Sequence, residues 1–281
     1  MTDVKERFQK EPVQEDRSHQ DRLQKVRLAV DPGATTYRGA SIVGTFAIAG
    51  RIGAVLLSVL VVSSSAAHLG ATGSLEAQVA DPEPERFAEA IESFTDWDAK
   101  NTAPADAVLF VGSSSIRFWD TAEWFPQRAV INRGFGGSHT SDVNHYVGET
   151  VIRHAPDVVV FYAGDNDIGA DKPPQQVHED FLQFTSLVLS ELPDAEILFV
   201  SIKPSLARWS LWPEMVEANE LIRAFTENSD NLHYVDVATP MLGPDGEPVP
   251  ELFVQDGLHM TDDGYEIWTE VVGDALEEIG Y

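Results

Sequence analysis

The chain has 281 residues, 46 of them acidic and 19 basic, for a formal charge of -27. Nucleic-acid binders hold phosphates with clustered Lys and Arg, and peripheral proteins meet anionic lipid with a basic face, so this balance argues against both. Cysteine is absent, which excludes disulfides, thiolate metal sites and cysteine nucleophiles, while 43% hydrophobic residues supply ample core for a folded domain.

Residues 1–40 are polar, mixed in charge and aperiodic, the pattern of a disordered leader. Residues 41–67 are mostly apolar and broken by Arg51, with the densest run from Ile52 to Val62 followed by Ser63, Ser64, Ser65, Ala66 and Ala67. A basic residue, an apolar run and then small residues is the layout of a secretory signal. The segment is read as a signal peptide or, if uncleaved, a membrane anchor, although Arg51 would be costly inside a span. The first reading exports the protein to the medium or the periplasm; the second leaves it membrane-anchored through residues 41–67. Residues 68–85 are small, acidic and Pro-containing, as in a linker, and residues 86–281 remain as the folded domain. Up to Arg51 the chain carries 9 basic and 7 acidic residues; beyond it, 10 basic and 39 acidic, a net of -29. Only 6 of the basic residues are Lys. An acidic, Lys-poor surface of this halophilic type suits a high-salt medium, because salt screens its self-repulsion; the alternative reading is an ordinary acidic secreted protein.

Short apolar runs at Ala107–Val111, Ala129–Ile131, Val158–Tyr162, Ile197–Ile202 and Tyr234–Val237 are near-continuous, as strands covered on both faces should be. Helix-like stretches fall at Ser141–His154, Pro174–Leu192, Pro213–Asn228 and Asp262–Ile279. This alternation predicts one doubly wound α/β domain with a parallel sheet between helices.

In such a sheet, ligands bind beyond the carboxyl ends of the strands. Just past the first strand lie Gly112, Ser113, Ser114 and Ser115; past the second, Asn132 to Gly137; past the third, Gly164, Asp165, Asn166 and Asp167. The fourth leads into Lys203, Pro204 and Ser205, and a late loop holds Asp256, Gly257, Leu258 and His259. A serine at a strand-to-helix turn, a His to take its proton and an Asp to orient the imidazole are the parts of acyl transfer. The turn amide, a Gly amide and the Asn166 carboxamide would meet the developing oxyanion. Taken singly, each block reads as a turn, a tight loop or a helix cap. Their joint occurrence, in order and at successive strand ends, favours the catalytic reading.

That ordered pattern resembles the SGNH hydrolases, also called GDSL-type esterases and lipases. The family's Gly-Asp-Ser block corresponds to Gly112-Ser113-Ser114, which places the nucleophile on Ser114. Ser113 stands where the family usually has Asp, and Ser113 and Ser115 stay as rivals to Ser114. The second-block glycine falls on Gly137, with Gly136 the other register. Gly164-Asp165-Asn166-Asp167 matches Gly-x-Asn-Asp, and Asp256-Gly257-Leu258-His259 matches Asp-x-x-His. The resemblance implies a flavodoxin-like three-layer α/β/α sandwich with a five-stranded parallel sheet. It implies a Ser114, Asp256, His259 triad, with the Ser114 amide, the Gly137 amide and Asn166 forming the oxyanion hole. It also implies hydrolysis of carboxylic esters with no metal and no cofactor.

His139, His145 and His154 lack the i, i+4 spacing of a helical metal pair, and Asp165 and Asp167 lack the further oxygens Ca²⁺ needs. Lys203, Trp209 and Trp212 follow the fourth strand and are candidates to face substrate. The expected substrate is a small-molecule ester, a lipid ester or an acylated saccharide, with membrane contact only through the N-terminal segment. An acyltransferase or a polysaccharide O-acetyl esterase would use the same triad. A non-catalytic flavodoxin-like anion or flavin binder would use the serine-rich turn but leaves Asp256 and His259 unexplained.

Overall fold

The computed structural model describes residues 78–281. The leader, the apolar segment and the part of the expected linker before residue 78 lie outside the described residues. Five strands, β1 Val108–Gly112, β2 Val130–Gly134, β3 Val158–Tyr162, β4 Glu196–Val200 and β5 Leu232–Val235, form one sheet. They are all parallel, in the order β2-β1-β3-β4-β5. Leu109, Val111, Val159, Phe161, Ile197 and Phe199 point into one core. Their neighbours Val108, Phe110, Val158, Val160, Leu198 and Val200 point into the other. Both sheet faces are thus buried, which is why the strands read as continuous apolar runs.

The helices are α1 Ala88–Asp98, α2 Ser114–Arg117, α3 Thr121–Trp124, α4 Thr140–His145, α5 Val147–Thr150, α6 Asp165–Gly169, α7 Pro174–Glu191, α8 Trp212–Thr226 and α9 Asp262–Glu278. The first core is closed by α1, α4, α5, α7 and α8. The second is closed mainly by α9, whose Tyr265, Trp268, Val272 and Leu276 fall on one face. Burying each such large side chain contributes roughly 1.5–3 kcal/mol. Among the described residues no helix is long and apolar enough to cross a membrane.

Several elements differ from the sequence expectation, among them β5, which runs Leu232–Val235 rather than Tyr234–Val237, and the unexpected α1, α2, α3 and α6. Strand β2 runs on to Gly134 through polar residues whose side chains find distant partners: the Asn132 amide donates to the Ile116 and Trp119 carbonyls, and Arg133 pairs with Asp98. The helix expected over Ser141–His154 is broken into α4, α5 and a 3₁₀ turn at Ile152–His154. Tyr146 and Val151 leave helical dihedrals around Gly148, in a stretch rich in β-branched residues. Finally, residues 78–85, read as the end of a linker, are tied to the domain. Val79 exchanges backbone hydrogen bonds with the Gln176 amide, Asp81 pairs with Lys172, and Tyr146 donates to the Pro84 carbonyl.

Candidate active site

Strand β1 lies between β2 and β3, so its carboxyl end is the switch point of the sheet, and Ser114 opens α2 there. Gly112 has φ 141°, and a Cβ on it would lie 1.8 Å from the Tyr162 carbonyl oxygen, so only glycine lets β1 leave the sheet so close to β3. Ser113, where the resemblance calls for Asp, is fully buried. The turn closes through its backbone instead: its N–H donates to Tyr162 O at 3.0 Å, and its carbonyl accepts from Ile116 and Arg117. Ser115 is buried too, its carbonyl accepting the Tyr265 hydroxyl at 3.0 Å.

Of the three serines, Ser114 is the one that meets His259. Its Oγ lies 3.0 Å from Nε2 of His259, and Nδ1 of the same ring lies 2.6 Å from Oδ2 of Asp256. An ionised carboxylate can only accept, so Nδ1 carries the proton and Nε2 is left to accept from the Ser114 hydroxyl. Oδ1 of Asp256 accepts the backbone N–H groups of Leu258 (2.8 Å) and His259 (2.9 Å), which fixes the short loop. Burial pushes the Asp256 carboxyl up, but the hydrogen bonds from the His259 ring and the two amides outweigh it and hold its pKa down to about 2. Phe118, 54% exposed, stands edge-on to the His259 ring at 5.0 Å.

The groups expected to serve as oxyanion donors are the Ser114 and Gly137 amides and Asn166. The backbone N–H groups of Ser114 and Gly137 have no protein acceptor among the described residues. Gly137 sits at φ 84°, with nothing within 4 Å of where a Cβ would be. Gly136, the other register, is instead packed beside Arg117 and the Ser114 Cβ. Asn166 uses Nδ2 to donate to the Ser138 carbonyl at 3.0 Å, which leaves its second amide hydrogen available. Its Oδ1 accepts from Arg208 at 3.0 Å, and Arg208 also donates to the Asp165 carbonyl at 2.9 Å. Arg208 was missed in the sequence. Its signal was its rarity: one of ten cations in a strongly acidic domain, placed just past β4.

Of the three residues expected to face substrate, one is buried and the two tryptophans do not line the hollows beside Ser114. Lys203 is 1% exposed, with Nζ 3.9 Å from Asp165, and burial lowers its pKa. Trp212 packs against the first core, and Trp209 stacks on it at 5.8 Å, away from the hollows beside the site. Two hollows adjoin Phe118: one of about 490 Å³ beside His259, and one of about 880 Å³ running under Phe87, Phe94 and Trp97 toward Gly136. Among the described residues no cluster of three or more His, Asp or Glu could hold a metal.

The family model of the GDSL-like lipase/acylhydrolase family matches residues 113–267, more than half of the 281 residues. The chain belongs to this family. GDSL-like proteins hydrolyse esters, and the five-stranded parallel sheet here is their fold. Among solved structures, a candidate platelet activating factor from Streptococcus pneumonia is similar over 68% of this chain and 93% of its own, with 21% identity and a TM-score of 0.62. A GDSL-like lipase from Bacteroides thetaiotaomicron is similar over 67% and 98%, with 20% identity and a TM-score of 0.58. An acetyl-xylooligosaccharide esterase from Geobacillus Stearmophilus is similar over 64% and 96%, with 18% identity and a TM-score of 0.50. At these identities the likeness is one of fold. Against curated proteins the sequence finds no match.

Proposed function

We propose that the protein is a serine esterase that cleaves carboxylic esters through an acyl-enzyme on Ser114. The observation that carries this reading is the hydrogen-bonded chain from Ser114 Oγ through His259 to Asp256, at 3.0 and 2.6 Å. Ser114 Oγ attacks the ester carbonyl while its proton passes to Nε2 of His259. Asp256, ionised down to about pH 2, stabilises the imidazolium so formed. The oxyanion is met by the Ser114 and Gly137 amides and the remaining hydrogen of Asn166, donors that need no rearrangement when charge develops. The C–O bond to the alcohol then breaks, and the Nε2 proton goes to the leaving oxygen. His259 next deprotonates a water that attacks the acyl-enzyme, which frees the acid and restores Ser114.

The leaving alcohol must take its proton at Nε2, so its place is the hollow beside His259, lined by Phe118, Trp124 and Asp120. Ser114→Ala should abolish turnover of p-nitrophenyl acetate and covalent capture by a fluorophosphonate while leaving the fold intact. Capture at Ser113 or Ser115 in the unaltered protein would sink the assignment.

A further inference from the structure

The segment before the first helix ends beside the proposed oxyanion hole. Lys172, 2% exposed, lies within 3.2 Å of three carboxylates: Asp81 at 2.6 Å, Asp167 at 3.1 Å and Asp180 at 3.2 Å. Asp167 is wholly buried and follows Asn166 directly; both its oxygens accept the Thr140 backbone N–H, at 3.1 Å each. Thr140 begins α4, three residues past Gly137, and Asn166 itself reaches the Ser138 carbonyl. Two bonds therefore cross between the loop bearing Gly137 and the loop bearing Asn166. The carboxylate making one of them is neutralised by Lys172. Asp81 is the half-exposed member of that cluster, and the segment carrying it is pinned on its other side by the Val79–Gln176 pairing. Val79, Ala80, Pro82, Gly137, His139 and Lys172 line a common hollow of about 330 Å³.

We propose that residues 79–81 are a working wall of the active site: Asp81, through Lys172 and Asp167, holds the Gly137 and Asn166 donors at the spacing the oxyanion requires. Asp81, Lys172 and Asp167 are positioning residues in this scheme. The proposal rests on the esterase reading above. It uses a segment that the family model, which starts at residue 113, does not contain. Its physical basis is that donors pay off only when they are held where charge will develop, so a small displacement costs rate rather than substrate binding.

The test uses the full chain and four proteins: wild type, Asp81→Asn, Asp81→Glu and Lys172→Met. Asp81→Asn should lower kcat for p-nitrophenyl acetate about tenfold and slow fluorophosphonate capture of Ser114 by a similar factor, with KM within about threefold. Asp81→Glu should recover most of the rate. Lys172→Met should lose at least as much. If it fails to fold, Asp81→Asn still decides, because that side chain is 50% exposed and its loss leaves no buried hole. Amide hydrogen exchange across residues 136–142 and 164–170 should quicken in Asp81→Asn. A folded Asp81→Asn whose kcat stays within about twofold of wild type overturns the proposal. Wild-type protein that neither cleaves esters nor is labelled overturns the esterase reading instead; unchanged exchange in Asp81→Asn would then remove the coupling as well.

Discussion

Ser114 and His259 are 145 residues apart in sequence and 3.0 Å apart in space. Between the three serines of the turn, burial decides: Ser113 and Ser115 face inward, and Ser114 faces the imidazole. In the proposed mechanism Asn166 is a donor aimed by the hydrogen bonds it makes elsewhere. Arg208 occupies its oxygen and Ser138 one of its hydrogens, so the remaining hydrogen has one direction left. Arg208→Ala should therefore lower kcat by about tenfold or more while KM changes little, because the guanidinium acts on the donor and not on bound ester. Steady-state kinetics on p-nitrophenyl acetate checks this; a rise in KM with unchanged kcat would make Arg208 a substrate contact instead.

Helix α7 and the 79–85 segment share one buried charge cluster, and its charge does not balance. Three carboxylates surround the single Lys172 ammonium. Burial, with Asp167 nearby, raises the Asp180 pKa to about 6. The folded protein thus holds a proton on Asp180 that the unfolded chain, with an ordinary Asp pKa of about 3.9, has already lost. Stability from this group is present at low pH and falls as pH rises from about 4 through about 6. Asp180→Asn should accordingly raise Tm at pH 8. The advantage should shrink below pH 6 and disappear below about pH 3, where the wild-type carboxyl is protonated in both states. Thermal unfolding across that range reads the sign directly, and a lower Tm at pH 8 would show that the ionised carboxylate is stabilising.

The net of -29 beyond Arg51 gains a structural counterpart at the scale of the whole molecule. Of the three lysines in the described residues, Lys172 and Lys203 are buried, leaving Lys100 as the exposed one. Among the described residues the surface therefore has few ammonium groups, and on the reading of the acidity as an adaptation to salt, added salt would screen the repulsion between its carboxylates. Esterase activity and Tm should be retained or increased in molar NaCl relative to dilute buffer. A steep loss of either with rising salt would show that the acidity is not an adaptation to it.

The sequence alone was enough to expect the parallel sheet. Continuous apolar runs announced β1, β3 and β4 because both faces of a parallel sheet are buried, and the family resemblance proposed Ser114, Gly137, Asn166, Asp256 and His259 as the site. Helix α1 was legible only in the spacing of Phe87, Ile91 and Phe94, which its acidic composition obscured. The polar end of β2 was hidden because Asn132 and Arg133 look like loop residues until their distant partners, Ile116, Trp119 and Asp98, are in place. The same reason governs the rest. Which serine faces the histidine, that Lys203 is buried against Asp165, that Arg208 orients Asn166 and that Asp81 closes on Lys172 all depend on pairs far apart in the chain. Burial and hydrogen bonding between such pairs exist only once the fold has brought them together.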